Sequence, residues 1–139
     1  MTEQEARALF RRHDDPRGRE HPPHFDRAKA TARFQGFVAA LDAAAGTHEA
    51  ESGASIQDAS FHAQVFVGTG ALRFSSFGDM ACLTPDCELD EATLAAIRDL
   101  CERLGYVFVP TEYAELPYDG SNPGVTGIRD WWIRYFDWV

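Results

Sequence analysis

The stretch 59–84, ASFHAQVFVGTGALRFSSFGDMACLT, is where the chain changes its hydrophobic period. Ala59, Phe61, Ala63, Val65 and Val67 alternate with Ser60, His62 and Gln64, and a period of two belongs to a strand with one buried face. Gly68-Thr69-Gly70 then suits a hairpin loop. A second strand from Leu72 to Phe77 leads into Gly78-Asp79, which can turn the chain into a third strand at Met80 to Thr84. Three strands joined by such short turns predict an antiparallel meander.

On both sides of the meander the spacing is helical. Thr2 and Glu5 have the capping-box separation, and Ala6, Leu9, Phe10 and His13 share one face, which predicts a helix from about Glu3 to His13. The segment 14–25, DDPRGREHPPHF, holds three prolines and a glycine and reads as a connecting loop. From about Asp26 the positions Ala30, Phe34, Phe37, Leu41 and Ala45 recur at three and four, with Gly46 as a stop. The stretch 47–55, THEAESGAS, reads as loop. After the meander, Asp90 can cap a helix with Leu89 and Leu94 at staple positions, and the stripe Leu94, Ile97, Cys101, Leu104 ends at Gly105. Tyr106 to Val109 reads as a short strand stopped by Pro110, and 111–127 as a turn-rich loop.

The C-terminal WWIRYFDWV, 131–139, contains every tryptophan of the protein and is expected to dock into the core, since each aromatic ring gains from burial. Its β propensity favours a strand, against a short helix pairing Arg134 with Asp137 or Asp130. The resulting order predicts one domain over 1–139. Its class is α+β: a mostly antiparallel sheet with N-terminal helices and one further helix packed against it.

With 139 residues, 45% hydrophobic and 12% aromatic, the chain reads as globular. No apolar run has the length of a membrane span, and the acidic start MTEQEARALF is unlike a secretory leader, so a cytoplasmic protein without membrane partners is expected. Residues 1–34 hold eight basic and six acidic side chains, whereas 35–139 hold five against sixteen. A field of that sign repels phosphate backbones and attracts basic surfaces, so a nucleic-acid partner is disfavoured.

Catalytic and metal-binding signals are sparse. Cys82 and Cys87 have a spacing compatible with a zinc pair, but Cys101 sits on an apolar helix stripe, so three reduced thiols and no metal are expected. His21 and His24 read as loop histidines. His62, on the polar side of the first strand, offers a general base if Asp58 or Asp79 lies beside it. Ser75-Ser76 lacks a nucleophile elbow, and Gly68-Thr69-Gly70 has no helix or lysine to hold phosphate, so no cofactor is expected.

Glu112, Tyr113, Glu115, Tyr118 and Asp119 combine carboxylates with amphipathic rings in one loop, a composition suited to a partner's Arg or Lys, with Asp86 and Glu88 aiding encounter. The competing reading has Tyr113 and Tyr118 anchoring the loop to the core. FSSFGD, the helix leading to GYVFVP, LPYDG and the terminal WWIRYFDWV resemble small uncharacterised bacterial proteins, some of which look like immunity proteins of toxin systems. The likeness spans about 72–139 and brings no catalytic residue. It implies a non-catalytic inhibitor that neutralises a basic toxin by direct association. Two alternatives stand beside it: a small enzyme built on His62, and a structural or regulatory subunit whose aromatic tail meets another chain.

Overall fold

The computed structural model describes residues 1–14, 22, 25–52, 63–122 and 127–137. Helices α1 (Glu3–His13) and α2 (Arg27–Ala45) precede strands β1 (Ala50–Ser52), β2 (Ala63–Val67), β3 (Gly70–Phe74) and β4 (Met80–Leu83). Helix α3 (Glu91–Leu104), strand β5 (Val107–Phe108) and helices α4 (Thr111–Ala114) and α5 (Trp131–Tyr135) follow. The strands lie in sequence order in one sheet, antiparallel from β1 to β4, with β5 parallel to β4. The parallel pair follows from α3, which carries the chain back across the sheet before β5 begins. The fold is therefore α+β with a mostly antiparallel sheet.

Local chemistry sets the boundaries. Thr2 and Glu5 form the reciprocal capping box at α1, and Asp26 caps α2. Asp90 accepts the Thr93 N–H at 2.6 Å to open α3, which Gly105 closes in a left-handed conformation. Gly78 and Asp79, at φ +60° and +54°, make the tight turn between β3 and β4.

The pleat sorts the side chains into two cores. On one face Val65, Leu72, Phe74, Ala81 and Leu83 pack against Phe34, Phe37 and Leu41 of α2 and Ile97, Leu100 and Cys101 of α3. On the other, Met80 and Cys82 meet Ala6 and Phe10 of α1, Ala114 of α4 and Trp131, Trp132 and Tyr135 of α5. This second layer lies over β4 and β5, and on β2 it leaves Phe66 exposed.

Three expectations need correction. The terminal segment is a helix rather than a strand: the Asp130 carboxylate accepts the Ile133 N–H at 2.9 Å, and four-residue spacing stacks Trp131 on Tyr135 and Trp132 on Phe136. The stretch 47–55 is not all loop, because Ala50–Ser52 pairs with Ala63–Val67 as an edge strand. The turn-rich segment 111–127 opens with a helical turn: Pro110 fixes the entry and the Thr111 hydroxyl donates to the Leu83 carbonyl at 2.8 Å. The start of the first expected strand, 59–62, lies outside the described residues, as does Trp138.

Candidate functional site

The acid and tyrosine segment divides into an inward half and an outward half. Its second part is pinned by backbone bonds to the residues before α5, Tyr118 N–H to Arg129 O at 3.0 Å and Trp131 N–H to Leu116 O at 3.2 Å. That pinning turns Tyr118 inward. Its ring lies 4.6 Å from Trp131, and its hydroxyl donates to Asp14 Oδ2 at 2.5 Å while accepting the Asn122 N–H. Burial and the neighbouring Asp14 push the Tyr118 hydroxyl up to about 12. Asp14 in turn holds Arg134 at 2.9 Å, a pair almost wholly removed from water, and the Arg134 guanidinium lies 4.6 Å from the Phe77 ring.

Asp119 is equally committed within the chain. Its carboxylate accepts from Arg7 at 2.9 Å, from Arg11, and from the Trp131 indole N–H at 3.2 Å, so it ties α1 to α5. Burial opposes its charge, but the Arg11 hydrogen bond and the charges of Arg11 and Arg7 outweigh it, and the carboxyl is held below its ordinary value. Tyr113 packs at the margin of the second core.

Glu112 stands on α4 and Glu115 at its C-cap, and both are exposed, as are Asp86 and Glu88 in the loop before α3. None of these four carboxylates has an ion-pair partner among the described residues. The loop bearing Asp86 and Glu88 is nevertheless well fixed. Thr69 donates its N–H to the Glu88 carbonyl at 2.9 Å, and its hydroxyl accepts the Glu88 N–H at 2.7 Å. Gly68, at φ +53°, is required there because a Cβ would run into the Glu88 carbonyl. The β2–β3 turn and the acidic loop thus form one unit.

That unit borders a groove on the second face of the sheet. Gln64 and Phe66 of β2 and Ala71 and Arg73 of β3 lie on this side with Glu49 and Thr84, around a groove of 470 Å³. A polar row crosses it: Arg73 Nε donates to Gln64 Oε1 at 3.2 Å, and Gln64 Nε2 donates to Glu51. Arg73 also donates to the Phe136 carbonyl at 2.9 Å. Sequence reasoning missed Phe66 and Glu49. The signal was present, because Phe66 has the parity of Ser60, His62 and Gln64 and so places an apolar ring on the polar side of its strand.

The other candidates are arranged as follows. His62, Asp58, His21 and His24 lie outside the described residues, and Asp79 is bonded to Arg33 at 2.6 Å. Burial pushes the Cys82 thiol up to about 12, against a hydrogen bond with Thr111, and pushes Cys101 up to about 12. Cys87 Sγ lies 3.4 Å from the Val67 carbonyl. Among the described residues no three metal-ligating side chains converge. Ser75 Oγ accepts the Phe77 N–H at 3.1 Å, a local turn bond. No helix is long and apolar enough to cross a membrane. Compared with models of known protein families, with curated proteins and with solved structures, the chain matches none.

Proposed function

We propose that the protein is a non-catalytic binding module, an immunity- or antitoxin-like inhibitor that neutralises a basic protein by direct association. The observation that carries this reading is the presentation of Glu112, Glu115, Asp86 and Glu88 as exposed carboxylates on fixed elements, in a chain of net charge −9. Such charges accelerate encounter with a basic surface, and dissociation is governed by the apolar contacts made afterwards. Tyr118 and Asp119 serve the fold, so the binding role passes to the outward acids.

The test is association kinetics with the partner captured from extract of the source cells. Replacing Glu112, Glu115, Asp86 and Glu88 together by Ala is expected to lower the on-rate about tenfold or more at low salt, and to flatten its dependence on ionic strength. The melting temperature should hardly move, because exposed acids contribute little to stability. An on-rate and salt profile equal to the parent's would overturn the reading. Asp119 stays unaltered in this variant, since its loss would loosen α1 from α5.

A further inference from the structure

We infer that the open patch beside the β2–β3 turn on the second sheet face, centred on Phe66, is the docking site for a basic protein segment that bears an exposed apolar side chain. This rests on the binding reading above and names the surface that performs it. Among the described residues three large apolar side chains are markedly exposed. Met1 is terminal, Leu104 ends α3, and Phe66, at 42%, is held in the middle of a strand. An aromatic ring fixed on a rigid strand and rimmed by polar groups is the usual form of an interface anchor.

The surroundings select the occupant. Glu49 borders the groove on the β1 side, and the Phe66 N–H is bonded to the Glu49 carbonyl at 2.8 Å, which fixes that rim to the strand. On the opposite side the β2–β3 turn is bonded to the loop of Asp86 and Glu88. Arg73, the cation lining the groove, donates to the Phe136 carbonyl and lies 5.7 Å from the Trp132 ring, which draws its guanidinium toward α5. A basic segment meets carboxylates on both rims and the Phe66 ring between them. A second copy of this chain would bring the same carboxylates against its own image, and a nucleic acid would bring further negative charge.

Two fluorescent lysine-rich peptides of equal charge, one with a central leucine and one with serine there, provide the probe. On the full chain, the leucine peptide is expected to bind about tenfold more tightly and to shift the amide signals of Phe66, Thr69 and Ala71. Phe66→Thr, which keeps strand propensity, should abolish the preference for leucine and leave a weaker, salt-sensitive association. Glu49→Gln with Glu88→Gln should weaken both peptides. The amide map of the parent protein decides the matter even where a variant folds poorly. Equal binding of the two peptides, or shifts confined to residues remote from β2, overturns this site while leaving a basic partner in place. Binding of neither peptide overturns both readings. A dimer in sedimentation that Phe66→Thr dissociates would show the face covered by a second copy and also overturn the inference.

Discussion

Arg134 and Asp14 are 120 positions apart in sequence, and their side chains are 1% and 3% exposed. Such a pair need not stabilise the fold relative to apolar groups of the same shape, because both ions lose water. Breaking one half is another matter. Arg134→Met leaves the Asp14 carboxylate buried with, among the described residues, the Tyr118 hydroxyl to meet it, and is expected to cost about 3–5 kcal/mol. The double variant Asp14→Asn, Arg134→Met removes both charges and keeps an acceptor for Tyr118, so it should be more stable than Arg134→Met alone. Urea denaturation of the two variants measures the difference. A single variant as stable as the parent would mean that water reaches Asp14 and the pair is not closed.

Helix α5 shows why some elements were readable in advance and others were not. The starts of α1, α2 and α3 are written in side chains that bond to the backbone, Thr2, Asp26 and Asp90, and the β2–β3–β4 meander in the alternation that ends at Val67 and in the short turns at Gly68–Gly70 and Gly78-Asp79. Strand β1 and helix α4, of three and four residues, carry no alternation, turn pair or side-chain cap to mark them, and the aromatic content of 131–136 suggested a strand. The decisive residue was Asp130, which precedes the aromatic run as an N-cap rather than entering it as an ion-pair partner. The candidate site was legible as an acidic surface. Its division was not, because only the backbone bonds from 116–118 to 129–131 reveal which way Tyr118 and Asp119 turn. Since Trp131 is fully buried between Phe10, Tyr118 and Tyr135, Trp131→Ala should cost about 3–5 kcal/mol. Deleting 131–139 also uncovers Met80 and Cys82 and removes the partner of Asp14, so the truncated chain is expected to be unfolded at room temperature by circular dichroism. A cooperative melt at the parent's temperature would refute this.

At the scale of the molecule, the charge asymmetry of the sequence is partly resolved by folding. Arg7 and Arg11 from the basic first quarter meet Asp119, and Arg33 meets Asp79, so the N-terminal segment neutralises acids of the body and leaves Glu49, Asp86, Glu88, Glu112 and Glu115 facing outward. The same folding back joins two cores on opposite faces of one sheet. Strand β4 contributes Ala81 and Leu83 to one and Met80 and Cys82 to the other, so neither core keeps its wall if the second is lost. A single cooperative unfolding transition follows, as for most domains under about 150 residues. The two faces report separately. Trp131 and Trp132 lie in α5, whereas α2 and α3 on the opposite face contain most of the helical residues among those described. Tryptophan fluorescence and far-ultraviolet circular dichroism should therefore give the same denaturation midpoint and slope. If the fluorescence transition came first, with helical signal persisting beyond it, the second core would be a separable layer. The sheet with α2 and α3 would then stand without it.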